Sequence, residues 1–102
     1  MISAFKALSD PTRRLVLSLL RDGSRTAGEV AGGAGLSAPS ASYHLDLLRQ
    51  AGLVTSEKEG RTVRYTLATT VVEQAAGWLL GLVEARPAGQ PASRETAAGT
   101  PR

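Results

Sequence analysis

The residues best equipped for chemistry lie between Arg25 and Arg64. Ser37, Pro39, Ser40, Ser42, Tyr43 and His44 crowd one short stretch, with Arg49 just after it. Arg25 and Thr26 precede it, and Lys58, Arg61, Thr62 and Arg64 follow. Serine near histidine raises nucleophilic catalysis first. A triad also needs an oriented base and a pocket, and the sequence marks neither. The chain has no cysteine and one histidine. Disulfides, thiolate catalysis and thiolate metal sites are therefore excluded. A lone histidine cannot give zinc its three or four ligands. No P-loop or metal box is present, so the sequence predicts no enzyme, no metal and no cofactor. What remains is non-covalent recognition: hydroxyls and a tyrosine for base edges, arginines and a lysine for phosphates.

Charge placement carries that reading better than charge total. The formal net charge is +3 over 102 residues. Residues Arg86 to Arg102 hold three arginines against one glutamate, so the remainder carries only +1. A nearly neutral domain does not attract nucleic acid in bulk, and the positions of its cations decide. The 86–102 segment has three prolines and no large apolar side chain. It cannot bury enough to offset its ordering entropy, so a disordered tail is expected there, after a domain at 1–85. A domain that small leaves much surface exposed, and dimerisation would help it. No signal peptide is visible, and the apolar run Ala75 to Val83 is too short to cross a bilayer.

The elements that must position these groups follow from caps and periodicity. Ile2, Phe5 and Leu8 share one side of a short helix. Asp10 fits an N-cap and Pro11 the first helical position of a helix to about Arg21, stopped by Gly23. Leu15, Val16, Leu17, Leu19 and Leu20 make that helix apolar almost all round, which predicts a central buried helix. Thr26 and Glu29 have capping-box spacing, opening a helix to about Gly33. Ser37 caps the next helix, which runs from 38 to about Ala51 with Ala41, Leu45 and Leu48 inward. The period then changes to two over 53–58 and 62–67, with Glu59-Gly60-Arg61 as a turn. A last helix runs from Thr69 or Thr70 to about Ala85, with Val71, Ala75, Trp78 and Leu82 in one stripe and Val72, Leu79 and Val83 widening it.

The order is α-α-α-α-β-β-α: mainly α with a small β-hairpin. Two capped helices, 27–33 and 38–51, are joined by about four residues including a glycine. That is helix-turn-helix spacing, and a hairpin with a basic tip follows it. The arrangement is a winged helix-turn-helix, whose second helix is narrow enough for the DNA major groove.

The run Ala7-Leu8-Ser9-Asp10-Pro11-Thr12-Arg13-Arg14, the stretch from Ser42 to Val54, and Glu59-Gly60-Arg61 with Tyr65-Thr66-Leu67 resemble the ArsR-like winged-helix repressors. The resemblance covers about residues 2–83. Within that family the chain looks most like the cysteine-free autorepressors of the SdpR type. The resemblance implies a cytoplasmic, homodimeric bacterial repressor on a palindromic operator, acting on its own operon. It implies polar groove contacts at Ser40, Ser42 and Tyr43, and, from the SdpR type, relief by a partner membrane protein acting as anti-repressor; a small-molecule anti-repressor is the alternative, with no sequence marker. It also implies dimerisation through the first and last helices, which places Ile2, Phe5, Leu8, Val71, Ala75, Trp78, Leu79 and Leu82 at the seam.

Some residues depart from the family pattern. Asp46 stands where relatives often carry lysine, Glu57 and Glu59 flank the wing, and Ala38 and Pro39 replace longer polar residues. Sparse direct readout with a contribution from DNA shape is expected. Metal-sensing relatives use cysteine in the first helix of the motif or Asp/His pairs in the last helix. Here the corresponding segments offer only Glu29, and Glu73, Gln74 and Glu84. The competing reading is a dimeric adaptor of the same fold that never docks on DNA.

Overall fold

The computed structural model describes residues 3–84. Ile2 and the 86–102 segment, with the tail expected there, lie outside the described residues. The elements are α1 (Ala4–Leu8), α2 (Pro11–Arg21), β1 (Arg25–Thr26), α3 (Ala27–Ala34), α4 (Ala38–Gln50), β2 (Val54–Glu59), β3 (Thr62–Leu67) and α5 (Thr69–Glu84).

Each early helix starts where its cap requires. Ser3, Asp10, Thr26 and Ser37 each accept a backbone N–H from the residue three further on. The Thr26–Glu29 box is reciprocal, because the Glu29 carboxylate also accepts the Thr26 N–H at 2.9 Å. Gly35 ends α3 in the left-handed region at φ 67°, where a side chain would be strained. Gly33 has a different purpose. A Cβ there would meet the Leu19 side chain at 3.1 Å, so its absence lets α3 close onto α2.

The core is small and lies under the second helix of the motif. Val16 and Leu20 of α2, Val30 and Ala31 of α3, and Ala41, Leu45 and Leu48 of α4 close around Ala7, Leu53 and Val54. The expectation that α2 is buried all round does not hold. Val16 and Leu20 alone are buried there, and Leu15 is 44% exposed. Val16 and Leu20 are four residues apart and share one face, and the core gathers on that face.

The sheet has three strands, in the order β1-β3-β2, all antiparallel. Its first strand, Arg25–Thr26, is two residues long and carries no periodic signal, so it is not among the elements the sequence predicts. Arg25 pairs with Tyr65 and Thr26 with Arg64. The wing turn is also tighter than expected. Glu59 pairs with Thr62, which leaves Gly60 and Arg61 as a two-residue loop with Gly60 at φ 61°.

Asp10 gives this scaffold a pH signature. The Arg13 backbone N–H, then the charges of Arg13 and His44, hold its carboxyl below the usual aspartate range. The Thr26 backbone N–H does the same for Glu29, and the Arg49 and Gln50 side chains for Asp46. A carboxyl depressed in the folded state stabilises it above the unfolded-state value. That contribution is lost as pH falls through the folded value. The melting temperature is therefore expected to drop as pH falls below about 4. Asp10→Ala should melt lower than the unaltered protein at neutral pH, with the gap closing toward about pH 3. A gap that stays constant across thermal melts in that range would contradict this.

Candidate nucleic-acid interface

Helix α4 divides its two faces cleanly. Ala41, Leu45 and Leu48 are wholly buried, which fixes the rotation of the helix. Pro39, Ser42, Tyr43 and Arg49 are exposed as a result, Tyr43 by 60%. Ser40 is half-buried, and its backbone N–H is taken by the Ser37 hydroxyl at 3.2 Å. His44 is half-buried too. Its Nδ1 lies 3.4 Å from an Arg13 guanidinium nitrogen, and its ring meets the Tyr43 ring edge-on at 5.3 Å between centroids.

The wing stands beside this helix. Ser42 of α4, Thr62, Val63 and Tyr65 of β3, and Thr26, Ala27 and Gly28 at the start of α3 line one cleft of about 390 Å³. The pleat sorts the wing's charges by face. Lys58 is paired across with Val63, and Ser56 with Tyr65, so these share a face. Glu57 and Glu59 lie on the other face with Arg64. The acids expected to repel phosphate are thus separated from Lys58.

The cations fall into two groups. Arg13 Nε donates to the Ala7 carbonyl at 2.9 Å, and an Arg14 terminal nitrogen to the Leu8 carbonyl at 2.7 Å. Both thereby cap the end of α1, which accounts for the two arginines that follow Asp10-Pro11-Thr12. Arg25 Nε holds the Leu19 carbonyl at 3.0 Å, near the end of α2. Arg49 donates to Asp46, which also accepts from Gln50. Asp46, the acid expected to repel DNA, is thus partnered within its own helix. Arg64 reaches Ser24, Glu59 and Glu29. Lys58 and Arg61 are exposed on the wing and make no side-chain hydrogen bond or ion pair among the described residues. The sequence did not indicate that Ser24 has a role. Its contribution is a carbonyl, which no residue pattern reveals.

A second surface is formed by α1 and α5. Helix α5 has no buried residue. Trp78 is 59% and Leu82 64% exposed, and Phe5, Leu79, Leu80 and Val83 are also bare. Phe5 and Trp78 meet at 5.4 Å between ring centroids. They line an apolar cleft of about 270 Å³ with Ala4, Val71, Gln74 and Ala75. Ala75 is half-buried. Leu8 and Val71 pack partly against the protomer's own core. Of the residues expected at a seam, Phe5, Trp78, Leu79 and Leu82 are the ones left open. Leu80 is exposed as well and was not expected among them. A helix apolar on so much of its circumference needs a covering partner.

Comparison with known proteins agrees with this geometry. Residues 8–57 match a family described as a helix-turn-helix domain. Over 83 residues the chain is 42% identical to the transcriptional repressor SdpR of Bacillus subtilis, covering 81% of this chain and 92% of that one. The crystal structure of a possible transcriptional regulator for arsenical resistance superposes with a TM-score of 0.73 at 30% identity, over 80% of this chain and 85% of that one. A solution structure from Mycobacterium bovis is described as a homodimeric winged helix-turn-helix DNA-binding domain of a possible ArsR-family regulator. It superposes with a TM-score of 0.65 at 29% identity, over 78% of this chain and 74% of that fragment.

Proposed function

The chain belongs to the ArsR-like winged helix-turn-helix transcriptional regulators, and on that basis we propose that it is a homodimeric repressor of its own operon, acting on DNA in the bacterial cytoplasm. One observation carries the proposal: Ser42 of α4 and Thr62 of the wing line the same cleft. Helix and wing therefore border one shared concave surface that a duplex can meet.

In this reading Tyr43 and Ser42 meet base edges in the major groove, with Ser40, Pro39 and Ser37 at the entrance of the helix. Arg61 and Lys58 meet phosphates. Thr26 lies where the first helix of the motif meets the backbone. The DNA-binding and dimerisation domain of this reading is 1–85. Two copies join through Phe5, Trp78, Leu79 and Leu82, and the two α4 helices then face half-sites about one helical turn apart. Relief of repression by an anti-repressor, a protein or a small molecule, belongs to the same reading.

Arg61 offers the direct test. Arg61→Gln should weaken binding to operator and scrambled DNA alike. It should also reduce the slope of log affinity against log salt by about 1. Fluorescence anisotropy on the DNA upstream of the gene, repeated across a salt series, reads both. An unchanged slope would remove Arg61 from the interface. Salt-insensitive binding by the unaltered protein would favour the adaptor reading.

A further inference from the structure

Arg64 is the most heavily engaged cation on the wing, with partners in three pieces of its own chain. Its Nε donates to the Glu59 carboxylate at 3.1 Å. One terminal nitrogen donates to the Ser24 carbonyl at 3.2 Å and lies 3.5 Å from the Ser24 hydroxyl. The same nitrogen is 4.0 Å from the Glu29 carboxylate. These partners belong to three different pieces of the fold. Ser24 sits in the link between α2 and β1. Glu29 closes the capping box that starts α3. Glu59 is the last residue of β2, beside the wing turn.

We propose that Arg64 is a positioning residue that clamps the wing at a fixed angle to the helix-turn-helix, rather than a residue that contacts DNA. This rests on the DNA-binding reading above and deepens it. The base of the wing is held by Val54, Tyr65 and Leu67 against the core and by the two-residue pairing of β1 with β3, and the Arg64 side chain adds a polar tie beside that pairing. A planar guanidinium spreads five donors over three nitrogens in a fixed fork, so Nε and a terminal nitrogen reach the Glu59 carboxylate and the Ser24 carbonyl in set directions, whereas a lysine's three donors share one freely turning nitrogen. The clamp also assigns a purpose to Glu59. An acid one residue from the wing tip would repel phosphate, yet here it holds the arginine that aims Arg61 and Lys58.

The clamp makes a prediction opposite in sign to that of simple electrostatics. If Glu59 were only a negative charge near DNA, Glu59→Ala would tighten binding. Under the clamp it loosens binding by about three- to tenfold, although it removes the repelling charge. Arg64→Gln should lower affinity by a similar factor and leave the salt slope unchanged, because no phosphate contact is lost. Arg64→Lys keeps the charge and loses the fork, so it should behave like Arg64→Gln.

The experiment is anisotropy of the full chain on its upstream DNA across a salt series, with a thermal melt and sedimentation of each variant to confirm a folded dimer. Should Arg64→Gln fail to fold, Arg64→Lys and Glu59→Ala carry the test. Weaker binding by all three with an unchanged slope supports the clamp. A slope reduced by about 1 in Arg64→Gln, wild-type affinity in Arg64→Lys, or tighter binding by Glu59→Ala would overturn it. Absence of salt-dependent binding in the unaltered protein would overturn the DNA reading itself, and this inference with it.

Discussion

Replacing Trp78 by glutamate is expected to make the protein monomeric and to weaken operator binding by about 10²- to 10⁴-fold. Helix α5 has no buried residue within one protomer. Trp78 is more exposed than covered and packs chiefly on Phe5, itself 46% exposed. A carboxylate there changes little in the core around Leu45 and Leu48. It does place a charge in the exposed apolar surface proposed as the dimer seam, and burying an unpaired charge there is costly. With the dimer lost, each half-site binds alone and the second contact no longer forms at high effective concentration. Sedimentation velocity reads the first effect and anisotropy the second, with circular dichroism confirming an intact fold. A dimer of unchanged operator affinity would place the seam elsewhere.

The second large effect is expected on α4. Ser42→Ala with Tyr43→Ala should flatten the preference for the operator over other sequences. The loss is about 1–3 kcal/mol for each good base contact removed, and contacts that act independently add. Both side chains are exposed because Ala41, Leu45 and Leu48 hold the opposite face in the core, so stability should hardly change. The signature differs from that of Arg61→Gln. Removing a phosphate contact weakens all sequences together and lowers the salt slope. Removing a base contact weakens the operator selectively and leaves the slope intact. A binding-site selection with the double variant reads the preference directly. Unchanged affinity together with unchanged preference would mean that α4 does not enter the groove.

The legible parts of this protein were those with local physical rules. Asp10, Thr26 and Ser37 mark helix starts because capping is decided within four residues. The spacing of Ala41, Leu45 and Leu48 gave the buried face of α4, and the change of period after Gly52 gave the wing. Long-range partners were not legible. Whether Arg13, Arg14, Arg25 and Arg64 face phosphate or a backbone carbonyl depends on which helix end or turn the fold brings alongside, and their residue type is the same in either case. Strand β1 was missed because two residues have no period. Helix α2 is less buried than its run of leucines predicts, because such a run does not say how many sides have neighbours. Glu57 and Glu59 looked like acids beside a DNA contact, and the register instead puts them on the opposite face of the wing from Lys58.

The central claim is that this fold binds a specific operator as a dimer. The most direct measurement is fluorescence anisotropy of the full chain on the DNA upstream of its own gene, beside a scrambled duplex, at two salt concentrations. Preference for the upstream DNA, two chains per duplex, and a steep loss of affinity at the higher salt are expected. Equal, weak and salt-insensitive binding to both duplexes would contradict it and point to a protein partner instead.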